Sequence, residues 1–520
     1  MLTNVMETEI IVIGSGIGGL SCAALLARYG YQVIVCESHA IPGGAAHAFE
    51  RDGFTFDSGP SLYSGMSYSP SPNPLRQALD AIGAGEDVTW ANYATWGCCL
   101  PEGTFDTDVG ADQFCEVLQR LRGDRAVAEW RQLQRLMEPY AQAAIALPPA
   151  ALRYDLGAIF TTGRFVPAVL QYLPQVAQLS GTFGQIMDRA IQDPFIRNWL
   201  NLLCFLLSGL PADRTNAAEV AFMFADWYRP NVVLDYPIGG SGALVDAFVQ
   251  GLQGHSGQLL LNAHVEQILV EGKRAIGVQL RGGKQIRAKQ AVISSASIWD
   301  TLKFLPDGVL PRSFQSNRQA TPACDSFMHL HLGIDGTGIP SDLACHHIVV
   351  NDWQAGITAP QNVIAVSIPS LLDPSLAPPG KHTIHVYTPA NEPYALWEGL
   401  DRRSAAYMEQ KKLRSEIMWQ ALERIIPDIR SRCEVTLVGT PLTHERFLRR
   451  HRGSYGPAIP ATQGLFPNSR TPLPGLWCCG DSTFPGIGLP AVAASGMITA
   501  NSLSPVHKHL EMLRQVGCLS

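Results

Sequence analysis

The chain has 520 residues, 16% charged and 46% hydrophobic, long enough to bury a large core and to hold two domains. Its 39 Lys and Arg against 45 Asp and Glu leave a formal charge of −6 with no basic block, which argues against nucleic acid as a partner. The charged fraction falls well below the usual quarter or so, which raises lipid or membrane contact as an expectation.

The first predicted elements form strand, glycine turn, helix, strand. Four apolar residues, Ile10 to Ile13, precede Gly14, and a second apolar run, Val33 to Cys36, follows Gly30. Gly14, Gly16 and Gly19 fall on the G-x-G-x-x-G positions: the first permits the turn, the second lets backbone approach a pyrophosphate, and the third lets helix pack on strand. Glu37 ends the second strand. A carboxylate there accepts hydrogen bonds from an adenosine ribose and repels a 2′-phosphate, which disfavours NADP and leaves NAD and FAD open. Pro42, Gly43 and Gly44 then make a sharp turn whose N–H groups can face a ligand, and "GFTFDSGP" starts another extended piece.

Between Pro139 and Met187 the only charges are Arg153, Asp155 and Arg164. That stretch reads either as a helical cap over an apolar pocket or as a membrane-docking surface. The run from Trp199 to Pro211 is too short to span a bilayer and carries Asn201, so it is expected as a buried or interfacial helix. "GGSG" at Gly239 to Gly242 precedes a helix but lacks dinucleotide spacing. With no second G-x-G-x-x-G, no separate NAD(P)H site beside the first nucleotide site is expected, and electrons would be exchanged with another partner, such as a quinone or oxygen.

Val265, Ile268 and Val270, then Ile276, Val278 and Leu280, with a turn at Gly282 and Gly283, predict a β-meander that returns to the nucleotide sheet. Ala291 to Ser294 is a compact apolar strand suited to burial. In "MHLHLG", alternation puts His329 and His331 on one face of a strand, read here as its solvated face; His346 and His347 are also read as structural. His444, Glu445 and Arg446 are polar and stand near the C-terminal glycine motif in sequence, and a salt-bridged surface cluster explains them equally well. No catalytic acid or base is assigned. The twelve cysteines contain no C-x-x-C, so no metal site is expected. They are expected to be mostly buried free thiols in a reducing cytoplasm, since no signal peptide precedes the first strand. Near the C-terminus Leu476 to Cys479 form a strand, Gly480 and Asp481 stand at its end, and a helix follows Pro490. A carboxylate in that position binds sugar or ribityl hydroxyls beside a helix N-terminus.

Taken together, "GSGIGG", Glu37, "PGG", "FDSGP", "LTHERFLRRHRGSYGP" and "GDSTFPGIGLPAVAASG" resemble the flavoprotein family of bacterial-type phytoene desaturases, carotenoid cis-trans isomerases and retinol saturases, over nearly the whole chain. The resemblance implies non-covalent FAD. Gly14, Ser15, Gly16, Gly18, Gly19, Glu37 and Ser38 would lie on its adenosine diphosphate half, with Val265 meeting adenine through its backbone. Gly43, Gly44, Ser58 and Gly59 would lie nearer the ribityl and isoalloxazine end, Gly480 and Asp481 on the ribityl chain, and Gly488, Leu489 and Pro490 at the ring. Phe484 stands where the desaturase branch commonly has histidine, which leans toward the isomerases, while "FDSGPSLYSG" leans toward the desaturases.

The resulting expectation is an α/β protein: a doubly wound FAD-binding domain built from residues 1–65, 232–300 and 435–520, and a mixed α+β substrate domain from 66–231 and 301–434. Its expected activity is desaturation of a carotenoid or related polyene by hydride transfer to flavin. Isomerisation, a retinol-saturase-like reaction, a flavin amine oxidase and a lipid-binding escort protein are the alternatives. Peripheral attachment to a membrane surface is expected as well.

Overall fold

The computed structural model describes residues 6–59 and 61–519. Pro60, which closes the "FDSGP" motif, lies outside them.

The N-terminal strand Met6–Ile13 sits mid-sheet, parallel to Val33–Cys36 on one side and to Gln285–Ser294 on the other. Gln258–Leu260 extends the sheet beyond Val33–Cys36, again parallel. The predicted meander is present: Val265–Glu271 pairs antiparallel with Arg274–Leu280, which pairs antiparallel with Gln285–Ser294. Leu476–Cys478 joins Gln285–Ser294 in parallel at its C-terminal end. Parallel strands of this kind are buried on both faces, which is why Ile10–Ile13, Val33–Cys36 and Ala291–Ser294 are unbroken apolar runs. Helices Ile17–Arg28, Ser241–Gly254 and Leu489–Leu503 cover one face. The other packs against Leu302, Phe304, Leu310 and Phe314 from the segment that follows the sheet. The result is the expected doubly wound α/β arrangement.

A second, mixed sheet runs in the order Cys433–Gly439, His329–Asp335, Lys381–Tyr387, Val363–Ser367, His346–Val350, Thr95–Leu100, Gly103–Asp108. Strand alternation divides its residues between two cores. Leu330, Leu332 and Ile334 pack with Met418 and Leu422 of helix Ala405–Glu423. Ile348 and Val350 face the helical insert, whose core is built on Trp96, Trp130 and Trp199. The apolar run from Trp199 falls in helix Pro194–Ser208, which is largely buried, as expected.

The reading of His329 and His331 as a solvated face is corrected. They do share the face opposite Leu330 and Leu332, but they are only 5% and 6% exposed. That face is covered by the hairpin Ala48–Arg51 and Phe54–Asp57, whose Phe49 and Phe56 rings lie 5.2 and 5.5 Å from His331. A β-carbon on neighbouring Gly333 would fall 2.6 Å from Phe54, so the cover is tight. Alternation identifies a shared face; only a tertiary partner decides whether that face meets water.

Candidate functional site

Three stretches far apart in sequence meet at the C-terminal ends of the parallel strands. Gly14 turns with φ +92°, a conformation that favours glycine, and its N–H donates to Cys36 O at 2.9 Å. A β-carbon on Gly19 would fall 2.2 Å from Gly14 O, so helix Ile17–Arg28 depends on a glycine there. Gly43 N–H donates to Ser15 O at 3.0 Å, and a β-carbon on Gly44 would lie 3.0 Å from Gly16 Cα, so the Pro42–Gly44 turn rests on the first glycine turn. A β-carbon on Gly18 would fall 2.8 Å from Gly480 Cα, which places the third stretch against the same turn. Ser58 and Gly59 join from the hairpin: Ser58 Oγ donates to Ala45 O at 3.2 Å.

Glu37 is 8% exposed. Its carboxylate accepts from Ser15 N–H (2.9 Å), Ser15 Oγ–H (2.6 Å) and His39 N–H (2.8 Å), with Ser38 Oγ 3.4 Å away. Its carbonyl accepts from Ala263 N–H at 2.7 Å, which brings Val265 to the same edge. Asp481 pairs with Arg450 and holds Ser482 Oγ at 2.9 Å. Gly488 is the N-cap of helix Leu489–Leu503, with Leu489 and Pro490 in its first turn.

These residues fit a dinucleotide. Both helices, Ile17–Arg28 and Leu489–Leu503, begin without a side-chain cap and without an acidic residue in the first turn, which leaves their N–H groups and positive dipole ends for an anionic group. Gly16 has no protein atom within 4 Å of where a β-carbon would stand, so its position faces open space. A cleft of about 650 Å³ opens beside the site, lined by His264, Lys303, Glu445, Arg446, Arg449 and Arg450 among others. Its cations suit a diphosphate. The sequence reading missed Arg449 and Arg450, although both stand in the quoted "FLRRHRG"; no spacing rule marks an arginine that lines a cleft from a separate element.

The proposed surface cluster at His444 is also corrected. Arg446 is exposed over the Phe447 ring, and Glu445 accepts from Tyr394 Oη at 2.9 Å. His444 instead turns inward from helix Pro441–Leu448 and is buried. There it meets an imidazole row that the sequence reading did not assemble. His444 Nδ1 lies 3.1 Å from His329 Nε2, and His329 Nδ1 lies 3.0 Å from His385 Nε2. His331 stacks on His385 at 4.2 Å and 7°, with its Nε2 3.1 Å from Asp57 O. His47 stands 2.7 Å from Gly44 O and 2.9 Å from Ser58 Oγ, at the foot of the glycine turn. Burial lowers the proton affinity of all five: His331 to about 4, His444 to about 3, and His47, His329 and His385 in the same direction. They are neutral at pH 7. Nitrogens of His329, His331 and His385 approach within 4.8 Å of one another. An imidazole binds a metal in its ring plane, whereas the His331 and His385 rings are stacked face to face.

His346 and His347 are buried as well. His346 stacks on Tyr93 at 5.3 Å, and His347 Nε2 is 2.8 Å from Ala344 O. On helix Ala217–Trp227, Glu219 lies where burial pushes its carboxyl up to about 7, and its charge bears on Cys204 and Tyr455. Nine of the twelve cysteines are buried and all are free.

The profile of the flavin containing amine oxidoreductase family matches residues 17–504. The chain is 33% identical over 503 residues, 96% of its length and 80% of the relative, to a chloroplastic prolycopene isomerase of Daucus carota. It is 26% identical to a lycopene-forming phytoene desaturase of Paracoccus sp., covering 94% of this chain and 96% of that one. Among solved structures, a cofactor-binding redesign of putrescine oxidase shares the fold, with a TM-score of 0.62 at 16% identity over 96% of this chain and 99% of that one. The cofactor of this fold is FAD. The chain therefore belongs to the flavin containing amine oxidoreductase family, as an FAD-dependent oxidoreductase or isomerase of the branch that includes carotenoid isomerases and desaturases.

Proposed function

We propose that the protein is an FAD-dependent carotenoid isomerase, which changes the geometry of a polyene double bond without net oxidation. The observation that carries isomerisation ahead of the desaturation expected from sequence is the greater likeness to the prolycopene isomerase than to the phytoene desaturase, over nearly the same span. Phe484 in "GDSTFPG" agrees with it.

In this reading Gly14, Ser15, Gly16, Gly18, Gly19, Glu37, Ser38 and Val265 hold the adenosine diphosphate half. Gly43, Gly44, Ser58 and Gly59 stand at the ring end, and Gly480, Asp481, Gly488, Leu489 and Pro490 complete the ribityl and ring contacts. Arg450 keeps Asp481 oriented and, with Arg449, offsets diphosphate charge. Bound there, FAD supplies a redox-active ring against which the polyene is held. The protein contributes position and a dry wall: Phe49 and Phe56 close the imidazole row on one side, and Phe327 and Tyr387 lie against it. A quinone or oxygen remains the proposed electron partner.

The test is mass spectrometry of product after anaerobic incubation of a cis-carotene with the FAD-loaded protein, oxidised and reduced. An unchanged mass with altered chromatographic retention is expected. A loss of one hydrogen pair would make it a desaturase, and a gain of one pair a saturase. No turnover of any polyene by FAD-loaded protein would favour an amine oxidase. Folded protein that binds no FAD would favour the escort reading.

A further inference from the structure

We infer that His444, His329 and His385 form a proton relay that joins the arginine-lined cleft to the backbone at Gly44 and Gly59. The inference rests on FAD placing its ring at those glycines, and not on which polyene reaction follows.

A neutral imidazole has one N–H and one lone pair. His329 is engaged at both nitrogens, by His444 at 3.1 Å and by His385 at 3.0 Å, so it donates to one neighbour while accepting from the other. The row is directional and has two equivalent senses. A proton arriving at one end is passed along by switching every bond, and no ring need leave its place. The outer end rises from helix Pro441–Leu448, whose Leu442 and Glu445 line the cleft. The inner end reaches the glycine turn: His385 Nδ1 is buried and makes no close hydrogen bond among the described residues, and the Gly59 backbone that faces the ring raises its proton affinity.

The charged and titratable groups around the row are few. Glu445 and Arg450 stand at the outer end, His331, His47 and Tyr387 flank the middle and inner end, and Asp57 lies beyond His331 with its carboxylate occupied by Tyr236 Oη and Ser241 N–H. The other groups able to take a proton near the inner end are His331, His47 and Asp57, the last with its carboxyl raised by burial.

Reduction of FAD needs this service. When bound, the flavin ring would take up two electrons and one proton, and Phe49 and Phe56 cover His331 beside the row. A quinol donor would give up two electrons, become quinone and leave its own two protons to solvent. The single proton reaching the flavin would come through the row.

The test uses the FAD-loaded full chain, reduced anaerobically by methyl viologen radical, which carries electrons and no protons. Two viologen radicals become two viologen dications as one flavin takes two electrons and one proton. Flavin bleaching and the colour of a pH indicator in weakly buffered solution are followed together. Wild type should take up one proton per flavin in step with bleaching. His329→Gln and His444→Gln should each slow proton uptake at least tenfold while FAD stays bound. The double variant should be no slower than either, and His382→Gln, whose ring bonds Ser370 Oγ outside the row, should match wild type. Unchanged uptake, effects that multiply in the double variant, or one bound metal ion per chain would overturn the relay. Loss of FAD or of fold in both single variants would assign the histidines to packing and overturn it too. Wild type that never binds FAD would instead overturn the placement of the cofactor.

Discussion

Glu37 and Glu219 show what a residue type discloses by itself and what only its surroundings disclose. Glu37 was legible because it ends a strand at the distance from the glycines that a ribose contact requires. The structure adds that the same carboxylate ties Ser15 to His39 and so fixes the turn it serves. Glu219 carried no motif, and its chemistry comes from desolvation contributed by distant elements. A carboxyl raised from 4.5 to about 7 binds its proton more tightly in the folded state. Its contribution is therefore most favourable below pH 4.5, erodes as pH rises through 7, and is fully lost above. Glu219→Gln should remove that erosion. Urea unfolding should show the variant gaining on wild type by up to about 3 kcal/mol between pH 4.5 and 7.5. A difference that does not change with pH would place Glu219 in water. The buried histidines were misread for the same reason: a strand's polar face and a covered imidazole row have identical alternation, and the covering hairpin lies some 270 positions away in sequence.

Among elements, the decisive contact is that between helices Ile17–Arg28 and Leu489–Leu503, because it sets the spacing of two uncapped N-termini. Close approach requires glycine on both sides. A β-carbon on Gly496 would stand 2.4 Å from Gly18 O and 2.9 Å from Cys22 N, where no flexible side chain can give way. Gly496→Ala should therefore destabilise the fold by about 1 to 3 kcal/mol and weaken FAD binding as the two N-termini separate. Gly254→Ala, with open space around it, should do neither. Denaturant melts paired with FAD titration read both effects, and an unperturbed Gly496→Ala would show that the helices slide freely. The nucleotide sheet was legible element by element, since unbroken apolar strands, glycine turns and the meander each follow from local pattern. The second sheet was not. Its seven strands come from segments spread between Thr95 and Gly439, and pairing across such gaps leaves only its alternation in the sequence.

At the scale of the molecule, the low charge between Pro139 and Met187 resolves into a surface. Leu156, Ile159, Phe160, Leu170 and Leu173 are each 54% to 84% exposed, so these side chains do not cap a pocket in the isolated chain. The segment is nevertheless anchored. Arg153 pairs with Asp155 at 2.6 Å and donates to Ser504 O, and Tyr154 N–H donates to Ser502 Oγ. These anchors sit at the C-terminal end of helix Leu489–Leu503, whose fifteen residues span about 22 Å from the glycine-lined N-terminus. Among the described residues no helix is long and apolar enough to cross a bilayer. From an exposed apolar patch fixed one helix length from the proposed flavin site we expect shallow insertion into a lipid face. Ile159→Asp with Phe160→Asp should leave FAD content and unfolding midpoint near wild type, because neither side chain is buried. Each substitution forfeits about 1.5 to 3 kcal/mol of apolar transfer, so cosedimentation with neutral phosphatidylcholine vesicles should weaken at least tenfold. Wild-type protein that never sediments with vesicles, or a double variant that sediments equally well, would remove the lipid face from this account and leave the patch for a protein partner.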